Sequence, residues 1–314
     1  MTHNVIIIGG GCAGLTAGIY CGRALMNPLL FAGTFEDKGG LLIKTSVVEN
    51  YPGFPNGIDG SELVYNMESQ AIKYGTKIID KEIIKVDFSE KLFRLTDSDG
   101  TNYHTKVVII CTGSNPIKLG LPNENKFWSN GISSCAVCDG ALYRGKKIIV
   151  VGGGDSAMEE ALFLTKFSEV TLIHRRNTLR ASKIMQDRVL ANPKIKIIYD
   201  TIIIELVGDT FLKSVVCQNV VSGEKFTLEV DGLFYGLGLK PNTDLFKKYI
   251  ETDLDGYIIR YRHPEGKYKT MTSINGIFVA GDCHDKKYRQ AITAAGDGCK
   301  AALDVEKYLE EHFD

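Results

Sequence analysis

The chain has 314 residues, a length typical of about two domains. It carries 37 lysines and arginines against 38 aspartates and glutamates, so it lacks the basic excess of proteins that bind nucleic acid or membrane surfaces. No apolar run approaches the roughly 20 residues of a membrane helix, and no secretory signal precedes the first strand-like run. We therefore expect a cytoplasmic protein with neither a nucleic-acid nor a membrane partner.

The first predicted unit is a strand over residues 4–8, a helix over 13–24 and a second strand over 29–31. The turn after the first strand has the spacing G-x-G-x-x-G, formed by Gly9, Gly11 and Gly14. A dinucleotide pyrophosphate binds backbone N–H groups at a helix N-terminus where no side chain intrudes. The flanking strand and helix favour such a site over an ordinary glycine-rich turn. Glu36, beyond the second strand, is the only acidic candidate for an adenosine ribose contact.

A second unit of the same kind has a strand over residues 146–151, a helix over 155–166 and a strand over 169–173. Its turn carries Gly152, Gly154 and Ala157, with alanine in the accepted third place. Where an NAD site would carry an acid, the chain has basic residues: His174, Arg175, Arg176 and Arg180. Guanidinium groups there can grip a 2′-phosphate, which indicates NADPH rather than NADH. A solvated basic face is the alternative.

The strands of both units are continuous apolar runs, which indicates burial on both faces and hence parallel sheets between helices. Further strands are predicted over residues 83–88, 92–96, 107–110, 233–236 and 277–280, with helices over 61–74 and 290–311. We therefore predict an α/β fold of two Rossmann-like three-layer nucleotide-binding domains.

The pair Cys135 and Cys138, followed by Asp139, is the one close cysteine pair in the chain. Its C-x-x-C spacing can close a disulfide, and the neighbouring acid could supply or hold a proton. Half of a zinc site is one alternative, but no matching second pair supplies the roughly four ligands that zinc needs, so we expect no metal. A pair of inert core thiols is the other alternative, and we favour the redox interpretation.

Asp282 follows the buried strand over residues 277–280. An acid at the carboxyl edge of a sheet can bind hydroxyls of a ribityl or ribose chain. A helix N-cap or turn aspartate is an equally good interpretation of this residue alone.

Together these motifs resemble the low-molecular-weight thioredoxin reductases, members of the FAD-dependent pyridine nucleotide-disulfide oxidoreductases. The resemblance covers nearly the whole chain and depends on the order and spacing of its motifs. They are the Gly9–Gly14 turn, Glu49-Asn50-Tyr51-Pro52-Gly53, Cys111-Thr112-Gly113, Cys135-Ala136-Val137-Cys138-Asp139-Gly140, Gly152-Gly153-Gly154-Asp155-Ser156-Ala157, His174-Arg175-Arg176 with Arg180-Ala181, Gly276-Ile277-Phe278-Val279-Ala280-Gly281-Asp282, and Tyr288-Arg289-Gln290-Ala291.

The resemblance implies a discontinuous FAD domain over residues 1–115 and 246–314, with an NADPH domain over 116–245 inserted between its parts. It implies a homodimer in which the NADPH domain rotates relative to the FAD domain. It also implies the residues that hold FAD: Gly9, Gly11, Gly14, Asn50, Asp282, Arg289, Gln290 and Ala291. NADPH would be held by Gly152, Gly154, Ala157, His174, Arg175, Arg176 and Arg180.

By the same resemblance, Cys138 faces the flavin, Cys135 attacks the disulfide of thioredoxin, and Asp139 is the general acid. The chain departs from the family at four positions: Cys12, Leu41, Leu239 and Asn130.

Two rival interpretations remain. One is the same chemistry with a different disulfide or electron partner, and the other is a non-catalytic redox sensor, which turnover with excess substrate would exclude.

Overall fold

A computed structural model of the protein describes residues 2–34, 38–45, 47–261 and 266–313. Glu36, the candidate ribose contact, lies outside the described residues. The chain forms two units, one of Met1–Asn115 with Lys240–Asp314 and the other of Pro116–Leu239. The second crossing between them therefore lies a few residues before the position expected from the sequence.

The helices are α1 (Cys12–Arg23), α2 (Gly60–Lys73), α3 (Glu124–Phe127), α4 (Ala136–Asp139), α5 (Asp155–Leu164), α6 (Lys183–Leu190) and α7 (Ala291–Phe313). Short 3₁₀ turns cover Gly40–Lys44 and Gly140–Tyr143. The strands are β1 (Thr2–Ile8), β2 (Leu29–Phe31), β3 (Val47–Val48), β4 (Ile58–Asp59), β5 (Lys77–Ile79), β6 (Ile83–Asp87), β7 (Phe93–Asp97), β8 (Asn102–Ile110), β9 (Ser114–Pro116), β10 (Ile132–Ser133), β11 (Ile148–Val151), β12 (Val170–Ile173), β13 (Ile195–Ile198), β14 (Thr201–Gly208), β15 (Leu212–Asn219), β16 (Lys225–Glu229), β17 (Gly232–Tyr235), β18 (Leu239–Pro241) and β19 (Ile277–Val279).

The central sheet of the first unit has the order β5-β2-β1-β8-β7-β6, and β19 also pairs with β8. Strands β5, β2, β1, β8 and β19 run parallel, whereas β7 and β6 are antiparallel. Alternate residues of β1 pack on opposite faces: Val5 and Ile7 belong to the core that contains α1 and α7, and Ile6 and Ile8 to the core on the other side. Burial on both faces explains the continuous apolar run.

The second unit has a parallel sheet in the order β10-β17-β11-β12-β13 and a separate antiparallel sheet β14-β15-β16. Ile149 and Val151 face the core shared with the antiparallel sheet, and Ile148 and Val150 face the core shared with α4 and α5. The predicted α/β class with parallel sheets is confirmed in both units. Within the described ranges, no helix combines the length and the apolar composition needed to span a bilayer.

Candidate functional site

The first glycine turn needs its glycines for two different reasons. Gly9 has φ +117°, and a Cβ there would lie 2.2 Å from the carbonyl oxygen of Cys111. A Cβ on Gly14 would lie 1.8 Å from the carbonyl oxygen of Gly9. A Cβ on Gly11 would meet no atom nearer than 4.0 Å, and Gly11 caps α1 without a side-chain hydrogen bond. Gly9 and Gly14 therefore allow α1 to pack closely against the strands. Gly11 leaves the N-terminus of α1 uncovered.

Asp282 lies beside this turn, at the carboxyl end of β19. The preceding Gly281 has φ +77°, and a Cβ on it would lie 2.9 Å from Cβ of Ala13 at the start of α1. Burial, with a smaller contribution from the charge of Asp285, raises the pKa of Asp282 to about 6. The carboxylate makes no hydrogen bond to another residue in the described part of the chain. It can therefore accept hydrogen bonds from a ligand.

The other residues expected at FAD gather around the start of α7. Asn50 Nδ2 donates to Gln290 Oε1 at 3.2 Å, which joins residues 240 positions apart. Arg289 has φ +49°, and Ala291 begins α7. Sequence reasoning missed Asp285, which accepts the backbone N–H groups of Lys287, Tyr288 and Arg289 and so fixes the approach to the helix. The sequence feature that could have revealed it is an aspartate placed two residues before a turn, where its side chain can accept the backbone N–H groups that follow.

The second glycine turn repeats this arrangement in the other unit. Gly152 has φ +151°, and its Cβ would lie 2.4 Å from the carbonyl oxygen of Gly236. Ala157 is fully buried against Gly236. A Cβ on Gly154 would meet nothing within 4 Å, and Gly154 precedes α5 without a side-chain cap. Gly154 therefore leaves the N-terminus of α5 uncovered, as Gly11 does for α1.

His174 packs beneath this turn, whereas the arginines after it are exposed. The imidazole is buried, a Cβ on Gly153 would lie 2.1 Å from it, and its Nε2 lies 3.0 Å from the carbonyl oxygen of Thr178. Burial lowers the pKa of His174. The backbone N–H of Arg180 donates to the carbonyl oxygen of Gly153 at 2.7 Å, which holds the arginine loop over the turn.

Arg175, Arg176 and Arg180 all have exposed side chains. None of these guanidinium groups has a carboxylate partner within the described ranges. Three unneutralised cations beside an open helix N-terminus form a site suited to a phosphate group.

Cys135 and Cys138 are joined by a disulfide, with their Cα atoms 5.3 Å apart. Cys135 caps α4, and its Sγ accepts the backbone N–H of Cys138 at 3.1 Å. Both cysteines are half-buried, and Val137 between them is 58% exposed. The residue between the two cysteines is therefore open to solvent, while the cysteines themselves are partly covered.

Asp139 is connected to the disulfide through Ser133, which sequence reasoning missed. Ser133 Oγ donates to Asp139 Oδ2 at 2.6 Å and accepts the backbone N–H of Cys135 at 3.0 Å. Burial raises the pKa of Asp139, and the Ser133 hydrogen bond opposes that rise. The signal was a serine two residues before the first cysteine.

The structure thus groups the predicted residues by unit. Those expected to hold FAD lie in the discontinuous unit, and those expected to hold NADPH lie with the disulfide in the inserted unit. In the part of the chain that the structure describes, no cluster of three or more His, Cys, Asp or Glu side chains could hold a metal ion.

Comparison with known proteins places the chain among disulfide oxidoreductases. The sequence profile of the family described as pyridine nucleotide-disulphide oxidoreductase matches residues 3–298. A thioredoxin reductase of Streptomyces coelicolor is 48% identical over 308 residues, covering 98% of this chain and 94% of that protein. Solved thioredoxin reductases of Giardia duodenalis and Lactococcus lactis are each 38% identical, and each comparison covers 98% of this chain and 99% of the other. Their TM-scores are 0.91 and 0.65, and the second is described as the FR conformation.

Proposed function

The chain belongs to the pyridine nucleotide-disulphide oxidoreductase family, among its thioredoxin reductases, and we propose that it uses NADPH and FAD to reduce the disulfide of thioredoxin. The observation that carries the proposal is the combination of two open helix N-termini with a C-x-x-C disulfide whose intervening Val137 is exposed. A flavin dinucleotide and a nicotinamide dinucleotide each need one such helix.

The residues of the discontinuous unit fit FAD. Gly11 leaves room for a pyrophosphate at α1, and Asp282 offers a carboxylate with no partner among the described residues. With Asn50, Gln290 and the start of α7 they would hold the cofactor. Bound FAD would supply the two-electron chemistry that connects a hydride donor with a disulfide.

The residues of the inserted unit fit NADPH. Gly154 leaves the N-terminus of α5 open for the pyrophosphate, and Ala157 lets that helix approach the sheet closely. Arg175, Arg176 and Arg180 would bind the 2′-phosphate, which NADH lacks. We assign His174 to holding the arginine loop, since its ring is buried beneath Gly153.

The reduced cysteine pair would then act on thioredoxin. The N–H of Cys138 stabilises a thiolate on Cys135, which attacks one sulfur of the thioredoxin disulfide and forms a mixed disulfide. The other thioredoxin sulfur leaves as a thiolate and takes the proton of Asp139. Cys138 then gives its proton to the Asp139 carboxylate and attacks Cys135 Sγ. The bond between Cys135 and thioredoxin breaks, the second thioredoxin sulfur leaves as a thiolate, and the Cys135–Cys138 disulfide is restored.

We extend the proposal to assembly, motion and location. Homodimerisation and rotation of one unit against the other follow from the resemblance. Two relatives of equal identity superpose at TM-scores of 0.91 and 0.65, which supports more than one conformation in the family. Six unpaired cysteines fit a reducing compartment, and we place the enzyme in the cytoplasm.

An anaerobic titration followed by visible absorption tests the function. We expect a flavin spectrum that bleaches with NADPH, responds weakly to equal NADH, and recovers when oxidised thioredoxin is added. Cys135→Ser and Cys138→Ser should each abolish thioredoxin reduction and leave flavin binding intact. Bleaching without recovery would assign another disulfide partner, and the absence of a flavin spectrum after FAD reconstitution would reject the proposal.

A further inference from the structure

Ser133 lies between the acid and the redox pair. It is 5% exposed and ends β10, where it pairs with Phe234 of the neighbouring strand β17. Its Oγ donates to Asp139 Oδ2 at 2.6 Å and accepts the N–H of Cys135 at 3.0 Å. One hydroxyl, held by the sheet, therefore connects the side chain of the acid with the backbone of the first cysteine.

The direction of these hydrogen bonds determines what Ser133 does. Because a backbone N–H can only donate, the bond from Cys135 occupies a lone pair of Oγ and leaves the hydroxyl hydrogen for the carboxylate. A donor on a carboxylate stabilises its charged form, whereas burial favours its neutral form. Tyr143 is a titratable neighbour of Asp139: burial raises the pKa of Tyr143, and the charges of Asp139 and Asp231 add to that rise. Next to the acid in the chain, a Cβ built on Gly140 would lie 3.0 Å from the Phe167 ring and 3.1 Å from a Leu164 methyl. Ser133 is thus the polar group that opposes burial.

We infer that Ser133 is a positioning residue for disulfide exchange: its hydroxyl holds Asp139 beside Cys135 and keeps that acid readily ionised. The inference rests on the proposed function for the role of Asp139 as proton donor. Ser133 itself transfers no proton and forms no covalent bond. Without the hydroxyl, Asp139 would keep its proton to a higher pH.

Isotope-edited infrared titration of the carboxyl groups in the oxidised protein measures this directly. The Asp139→Asn variant assigns the Asp139 band. We expect Ser133→Ala to move the titration of Asp139 up by about one pH unit, the effect of losing one hydrogen bond to a charged group. Ser133→Thr, which keeps the hydroxyl, should restore the original midpoint. Ser134→Ala is the matched control, because Ser134 is half-buried and makes no hydrogen bond to another described residue.

The alkaline limb of kcat/KM for thioredoxin should move upward by the same amount in Ser133→Ala, since exchange needs the protonated acid. An Asp139 midpoint unchanged in Ser133→Ala would overturn the inference. If that variant does not fold, Ser133→Gly also lacks the hydroxyl and takes its place. A wild type that lacks thioredoxin turnover would reject the proposed function, while the infrared midpoints would still decide whether Ser133 controls Asp139.

Discussion

Asp282 and Asp285 lie three residues apart, yet their surroundings move their pKa values in opposite directions. Burial raises the pKa of Asp282 to about 6 from its usual 3.8, and no hydrogen bond compensates within the described residues. Burial alone would also raise the pKa of Asp285, but the backbone N–H groups of Tyr288, Lys287 and Arg289 outweigh it and lower that pKa. The fold thus uses the carboxylate of Asp285 as a hydrogen-bond acceptor, whereas the carboxylate of Asp282 accepts no hydrogen bond from the described residues.

This contrast predicts opposite stability effects in the FAD-free protein. Folding raises the pKa of Asp282, so its penalty grows between about pH 4 and pH 6 and is complete above pH 6. Asp282→Asn should therefore stabilise the FAD-free protein by about 3 kcal/mol at pH 8, with a much smaller gain at pH 4. Its FAD affinity should fall, because the anionic acceptor is lost. Urea unfolding at the two pH values measures the first effect, and flavin fluorescence the second.

Asp285→Asn is the control of opposite sign. Folding lowers the pKa of Asp285, so its carboxylate stabilises the folded protein at every pH above the usual aspartate pKa of 3.8. That stabilisation is lost as the pH falls through the lowered pKa of the folded state. The variant should be less stable than wild type at pH 8 by about 1–2 kcal/mol, and the difference should shrink below pH 4. If the two substitutions changed the free energy of unfolding equally at both pH values, the assignment of Asp282 to a ligand would be contradicted.

The exposed arginines give a prediction about nucleotide choice. Replacing Arg175 and Arg176 together by glutamine should raise KM for NADPH about 100-fold, because two charge-assisted hydrogen bonds are lost. KM for NADH should change little, since NADH has no 2′-phosphate. Arg188→Gln alters an exposed arginine on α6 of the same unit and should leave both values unchanged. A parallel loss for NADPH and NADH would indicate a structural role for the pair.

Among the elements, α1 and α7 approach closely enough to require glycine. A Cβ on Gly298 of α7 would lie 2.1 Å from the carbonyl oxygen of Ala13 in α1, and neither backbone can yield easily. A Cβ on Gly296, two residues earlier on α7, would meet nothing within 4 Å. The close approach to α1 therefore requires glycine at position 298, whereas position 296 of the same helix has room for a larger residue.

Gly298→Ala should destabilise the protein by about 3 kcal/mol and lower its FAD content, because the start of α1 would be displaced. Gly296→Ala should be neutral or should stabilise by up to about 1 kcal/mol, since alanine is the better helix former. Chemical unfolding with flavin absorption measures both effects. Similar stability of the two variants would show that the helices can separate at little cost.

The elements that sequence reasoning predicted best are those with strong local signals. The helices expected over residues 13–24, 61–74 and 290–311 are α1, α2 and α7, displaced by one or two residues. The antiparallel sheet β14-β15-β16 was not distinguished from the parallel strands. The run Ile202-Ile203-Ile204 in β14 is as apolar as a buried parallel strand, and nothing local specifies the direction of its partner.

Site prediction has the same limit at the level of single residues. Glycine turns and a cysteine pair are recognisable because their chemistry depends on spacing along the chain. The roles of Ser133 and Asp285 depend on where one hydroxyl and one carboxylate point after folding. Neither direction can be obtained from the sequence of a single chain.

At the scale of the whole molecule, the two segments where the chain enters and leaves a unit are hydrogen-bonded to each other within that unit. In the inserted unit, the N–H of Ile117 donates to the carbonyl oxygen of Gly238 at 3.1 Å. In the discontinuous unit, the N–H of Asn242 donates to the carbonyl oxygen of Gly113 at 2.9 Å, and Asn115 Nδ2 donates to Asn242 Oδ1 at 3.1 Å. Each unit also has its own buried cores. An insertion with adjacent ends can be removed without breaking either core.

We therefore predict that the two units fold and bind their ligands separately. Residues 1–115 joined through two glycines to 240–314 should bind FAD and show a flavin spectrum. Residues 116–239 alone should bind NADP⁺, retain the Cys135–Cys138 disulfide and take up no flavin. Visible absorption and calorimetry measure these outcomes without any turnover. Because neither fragment contains both glycine turns, flavin bound by the inserted unit, or NADP⁺ bound by the other, would reverse the assignment of cofactors while leaving the fold unchallenged.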